Sequence, residues 1–204
     1  MDMSSSRLLG IIGALFMVLL VVPTIGALLF LIGLIFVLIA MKGYGDAYKE
    51  GSIFHNTLYT LVFEIVGFVV FIGVMFYAAL SFLASLGINN ITDLNSWTRV
   101  DFRNAVNFSN ILPVIGAFVL GLIILFAFTV IASLYFRKAM KTMSEKSGAK
   151  LFHTTGTLFF VGALLTIIFI GFIVIWVSFI LLMVAFYESK PVQATQQPQQ
   201  QTPP

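Results

Sequence analysis

The sequence predicts an all-α polytopic transmembrane helix bundle with about six hydrophobic segments. Three observations carry that expectation. Of 204 residues, 60% are hydrophobic and only 9% are charged, against about 45–50% and about 25% in an ordinary soluble domain. The mean hydropathy is +1.06. Charge is absent from four long stretches: Leu8–Met41, Ile65–Thr92, Asn104–Leu134 and Leu151–Tyr187. A soluble globule of this length could not hide so much apolar surface.

A helix crossing about 30 Å of hydrocarbon needs about 20 residues. The first and last stretches hold 34 and 37 residues, too long for one upright helix and suited to two short ones. The first is broken at Pro23-Thr24-Ile25-Gly26; proline fits the first turn of a new helix, and glycine fits a turn. The last carries Gly171 near its middle. The expected spans are therefore about 8–22, 25–41, 57–84, 111–135, 154–170 and 172–188, forming a transmembrane domain over residues 1–188. Both tight turns are apolar, so the end hairpins either cross fully or re-enter. Irregular backbone at membrane depth must be buried in protein. Either way the chain returns to the side it came from. The run from Leu8 to Met41 shows no small-residue cleavage site, so it reads as a retained segment and not a leader.

Lysine and arginine set the orientation. Six spans place Arg7, Lys42, Lys49, Arg137, Lys138, Lys141, Lys146, Lys150 and Lys190 on one side, and Arg99 and Arg103 on the other. Drawing each long stretch as a single helix splits the same cations 7 to 4. The 9-to-2 split is the more polar, and it puts both termini on the cytoplasmic side of the cell membrane. Tyr44, Tyr48, Tyr59, Tyr135 and Tyr187 fall near the inner boundary, and Trp176 toward the outer one. That pattern fits aromatic belts at headgroup level.

Residues 87–110 form the one long polar loop outside, with six asparagines and the balanced set Asp93, Arg99, Asp101 and Arg103. Asn90 and Asn107 sit in Asn-x-Ser/Thr patterns. Residues 189–204 are rich in Gln and Pro, cannot build a core, and read as a disordered tail. The absence of cysteine excludes disulfides, thiolate metal sites and cysteine nucleophiles. The eleven Lys and Arg are too scattered for a nucleic-acid-binding face. The lipid bilayer is the implied partner, with a second copy or another membrane protein as further candidates. No cofactor is indicated.

Ile53-Phe-His-Asn-Thr matches Leu151-Phe-His-Thr-Thr. Each pentapeptide follows a basic cytoplasmic segment and precedes a hydrophobic span, which suggests a duplicated hairpin in parallel orientation. The polar residues of each motif can cap the helix that follows. A second reading pairs His55 with His153 as a metal or proton site, although no third ligand is evident.

Glu64 is the ionisable residue inside a span. A charge at mid-bilayer costs about 2.5–3.5 kcal/mol on insertion scales. Thr57, Thr60, Glu64 and Gly67 share one helical stripe, small and polar as membrane helix contacts tend to be. Either Glu64 makes an interhelical hydrogen bond, or it lines a proton or cation pathway. Gly10 with Ala14, Ala117 with Gly121, and Thr129 with Ser133 have the spacing of close helix packing. No His-Glu-x-x-His, Gly-x-Ser-x-Gly or phosphate-cradling glycine loop occurs, and no intramembrane carboxylate pair exists for acid–base work. No catalytic, cofactor-binding or metal residue is assigned.

Gly33-Leu-Ile-Phe-Val-Leu-Ile-Ala-Met-Lys followed by Ile53-Phe forms one half of a recognisable pattern. Leu151-Phe-His-Thr-Thr-Gly, Gly162-Ala-Leu-Leu-Thr-Ile-Ile-Phe-Ile-Gly-Phe and Val184-Ala-Phe form the other. Over roughly residues 8–188 the chain resembles the uncharacterised, largely archaeal membrane family known as domain of unknown function 996. The resemblance implies a multi-pass membrane protein and carries over no activity or functional residues. Two functions remain in contention. One is a non-enzymatic membrane scaffold or partner-binding protein; the other is a small transporter or channel using Glu64.

Overall fold

The computed structural model describes residues 2–88, 92 and 107–189. Among them are six helices and no strand. These are α1 (Met3–Val18), α2 (Gly26–Ala47), α3 (Gly51–Ser85), α4 (Phe108–Ser147), α5 (Leu151–Leu165) and α6 (Ile170–Glu188). All six are long and apolar enough to cross a membrane, α1 and α5 with the short 3-10 turns Leu19–Val21 and Thr166–Ile168 that extend them. The chain is a multi-helix membrane protein. Asn90, Arg99, Arg103, Lys190, most of loop 87–110 and the tail beyond Ser189 lie outside the described residues.

The helices fall into two compact units, residues 1–61 with 130–204, and residues 62–129. In the first, α1 packs on α2, α5 on α6, and α1 on α6. Its core is built from Met41, Tyr44, Ile53, Met140, Met143, Phe152, Leu182 and Phe186, all fully buried. The phenol ring of Tyr44 stacks on Phe186 at 5.8 Å, and Phe152 meets Phe186 edge-on at 5.2 Å. Arg7 of α1 donates to the Tyr187 carbonyl near the end of α6 and lies 5.3 Å over the Tyr187 ring. A cation there satisfies an orphan carbonyl and opposes the helix dipole. The Trp176 indole N–H donates to the Val18 carbonyl at 2.9 Å and closes the end of α1 in the same way.

The two end hairpins turn by one device. Left-handed backbone falls on Thr24 (φ 73°) and Phe169 (φ 63°), each two residues before a glycine. The turn glycines themselves serve close packing. A Cβ on Gly26 would collide with the Leu20 carbonyl, and one on Gly171 with the Gly162 carbonyl. The hairpin tips are apolar and bare, with Ile167 70% and Phe169 72% exposed. Between the tips and the basic end, α1 and α2 touch backbone to backbone. A Cβ on Gly13 would stand 2.8 Å from the Gly33 carbonyl oxygen, and one on Gly33 2.5 Å from that of Gly13.

Lys49 closes α2 in left-handed conformation, φ 52°. Its N–H bonds to the Asp46 carbonyl at 3.2 Å, and the Glu50 N–H bonds to that of Gly45 at 2.8 Å. This is the paired pattern of a Schellman cap. Gly148 (φ 72°) ends α4 at the corresponding corner before α5.

In the second unit, the later part of α3 runs against the earlier part of α4. Phe71 meets Phe118 edge-on at 6.2 Å, and Phe63 meets Phe128 at 6.2 Å. Most other large side chains here, including Phe68, Val69, Ile72, Phe76, Val119 and Ile123, are exposed.

Candidate functional site

Glu64 lies in the second unit, thirteen residues along α3 from the exposed Tyr77. That separation is about 20 Å of helix, within the apolar thickness of a bilayer. The Thr129 hydroxyl of α4 donates to Glu64 Oε2 at 3.3 Å. One turn on, a Cβ at Gly67 would stand 2.6 Å from Phe128 Cβ, so glycine is what lets the two helices close beside the carboxyl. Glu64 itself is half-buried. The arrangement supplies one hydroxyl donor to one carboxyl group. Among the described residues it offers neither a second carboxyl group nor a cation.

The other members of the stripe, in the first unit, are tied to backbone. Thr57 donates to the Ile53 carbonyl at 2.8 Å; Thr60 shares its one hydroxyl proton between the carbonyls of Asn56 at 2.9 Å and Ala132 at 3.3 Å. Thr129 and Ser133 differ in the same way, since Ser133 donates to the Val130 carbonyl at 2.6 Å.

The two histidines are not helix caps. Helix α3 starts at Gly51, so His55 is already inside it, with Nδ1 2.8 Å from the Gly51 carbonyl. His153 lies in the first turn of α5, whose cap position Lys150 makes no side-chain cap bond. Thr57 and Thr155 return their hydroxyls to the carbonyls four residues back, Ile53 and Leu151, both at 2.8 Å. A hydroxyl placed inside a helix finds that carbonyl and not a free amide, which is why the capping expectation fails. Both imidazoles are exposed, and no contact joins them among the described residues. No group of three His, Cys, Asp or Glu is placed to hold a metal among the described residues. Asn107 takes the cap role at α4, its Oδ1 accepting the Asn110 N–H at 3.0 Å.

A polar cluster that sequence reasoning missed lies at the basic end of the first unit. The Tyr44 and Ser189 hydroxyls are 2.5 Å apart and buried. Tyr48 stacks on Tyr44 at 5.9 Å, and its buried hydroxyl has no hydrogen-bond partner. Burial, and then the neighbouring Tyr44, push the Tyr48 phenol up to about 12. Nearby on the same side, a Ser52 hydroxyl bond at 2.8 Å, followed by the Lys146 ammonium, holds Glu50 below the usual carboxylate range. The only sequence signal for the cluster was the tyrosine spacing; the ends it joins are 145 residues apart.

Residues 29–180 match the profile of the family described as Protein of unknown function (DUF996). The chain is also similar to the "Uncharacterized protein MJ1644" of Methanocaldococcus jannaschii. Identity is 27% over 187 residues, covering 92% of this chain and 93% of that one. No solved structure matches.

Proposed function

This chain belongs to the family described as Protein of unknown function (DUF996), and we propose that it acts as a non-enzymatic membrane scaffold that binds a partner through its helices. The observation that carries this reading is the engagement of Glu64. Its carboxyl accepts from Thr129 inside a helix pair closed at Gly67 and Phe128. A lone polar group satisfied by a neighbouring helix is how such residues hold membrane helices together. A solute pathway ordinarily needs more intramembrane polar groups than this one pair. In this reading both termini face the cytoplasm and loop 87–110 faces outward.

One observation favours the alternative of a small transporter or channel: Glu64 is half-buried, not sealed. Cysteine labelling separates the two. Glu64→Cys, in a chain with no native cysteine, is challenged with a membrane-impermeant thiol reagent from each side. Ser144→Cys and Ser96→Cys serve as inner and outer controls. The scaffold reading expects the controls to label from opposite sides and position 64 to stay unlabelled.

A further inference from the structure

We infer that Lys138, Tyr135 and Tyr59 form a seat for the phosphate of an anionic membrane lipid, in the leaflet at the basic end of the molecule. All three belong to the first unit. The inference rests on the helices crossing a bilayer and is independent of the role of Glu64.

Charge comes first. Five cations crowd the end of α4 and the corner after it: Arg137, Lys138, Lys141, Lys146 and Lys150. Two are occupied: Lys141 pairs with Glu145 at 3.9 Å, and Lys146 with Glu50 at 3.6 Å. Lys138 is exposed and forms no ion pair among the described residues. Its Nζ lies 5.4 Å from the centroid of the Tyr135 ring. A ring face holds an ammonium at the flank of the helix instead of leaving it free in water. Tyr135 in turn meets Tyr59 of α3 at 5.4 Å and 59°. Tyr59 is 47% exposed, and its hydroxyl makes no hydrogen bond among the described residues.

The chemistry fits a phosphodiester. A lysine ammonium is a compact charge with three donors, and the Tyr59 phenol, packed against the Tyr135 ring that Lys138 lies over, adds a fourth. What lies beneath the ammonium selects a lipid over a soluble anion. Leu134 and Ile131, four and seven residues before Lys138, continue its face of α4 and are 42% and 39% exposed. A cation above an exposed apolar stripe, flanked by belt tyrosines, matches a headgroup above its acyl chains.

The test uses the full chain purified in detergent micelles. Phosphatidylglycerol and phosphatidylcholine with the same acyl chains are titrated separately, and retained lipid is counted by native mass spectrometry. The expected result is preferential retention of phosphatidylglycerol. Binding should weaken about five-fold in Lys138→Gln, the fold-change one headgroup cation confers. Tyr59→Phe should weaken it less, while Lys141→Gln and Lys138→Arg should leave it unchanged. Tyr59→Phe and Lys138→Arg keep the test decisive should Lys138→Gln not fold. The seat is refuted by equal retention of the two lipids, or by equal losses in Lys138→Gln and Lys141→Gln, which would mean diffuse charge. Displacement by inorganic phosphate at the lipid's own concentration would refute it too, since that would mean a soluble-anion site.

Discussion

The hydroxyls of Tyr44 and Ser189 meet at 2.5 Å, burying a hydrogen bond between α2 and the residue that ends α6. Ser189 also donates to the Phe186 carbonyl at 2.7 Å. A serine has one hydroxyl proton, so Tyr44 is the donor to Ser189. Ser189→Ala therefore strands a buried phenol donor, whereas Tyr44→Phe leaves only an unfilled acceptor lone pair. Ser189→Ala should destabilise by about 1–3 kcal/mol and Tyr44→Phe by less. The double variant should cost less than the sum, because it removes both partners. Thermal midpoints of the four proteins in one detergent complete the cycle.

Glycines of this chain divide by what a methyl would meet. Gly13→Ala and Gly33→Ala each drive a Cβ into the opposing helix backbone, which cannot yield as a flexible side chain can. Each should cost about 1–3 kcal/mol. Gly73 and Gly116 have nothing within 4 Å of an added Cβ and lie inside helices. Gly73→Ala and Gly116→Ala should be neutral or stabilising by up to about 1 kcal/mol. Denaturation midpoints should sort the four variants into these two classes.

Lys49 occupies a left-handed position that glycine fills without strain. An L-residue there gives up about 1–2 kcal/mol, partly offset by the greater unfolded freedom of glycine. Lys49→Gly should therefore stabilise the α2–α3 corner by several tenths to about 1 kcal/mol. Unfolding in a mild detergent checks it, with a fall in midpoint as the contrary result.

Alkaline pH should act through Tyr48. Its folded value of about 12 lies above the ordinary phenol value of 10.0. Burial penalises the phenolate, so stability keeps its full value below pH 10 and is lost as pH rises through 12. Phenolate absorbance should show a late-ionising component in the wild type, and that component should shrink by one tyrosine in Tyr48→Phe. The variant removes a buried hydroxyl with no partner, so at neutral pH it should be neutral or mildly stabilising.

Fold class was legible because it depends on run length and charge gaps. Thirty-four and thirty-seven uncharged residues demand helices, and Pro23 with Gly171 marked where each run doubles back. The turn residues themselves were misplaced by two positions. Left-handed backbone fell on Thr24 and Phe169, while Gly26 and Gly171 were needed for contact. Glu64 was legible as the charged residue in an apolar run, yet its partner Thr129 was visible only as a packing residue. The His55 and His153 motifs were read as caps because α3 was expected to begin near residue 57; Gly51 starts it, and hydroxyls turn back to carbonyls. The Tyr44–Ser189 and Arg7–Tyr187 contacts were illegible. When helices are apolar on nearly every side, no periodicity reports which face meets which neighbour.

The central claim is that Glu64 is a closed structural contact and not a lining group of a water path. The most direct measurement is thiol labelling of Glu64→Cys in native-like membranes, with Ser144→Cys and Ser96→Cys as sidedness controls. The scaffold account predicts that the two controls label from opposite sides and that position 64 remains unlabelled from either. Labelling at position 64 at a rate comparable to the controls would contradict it and establish water access to the helix pair.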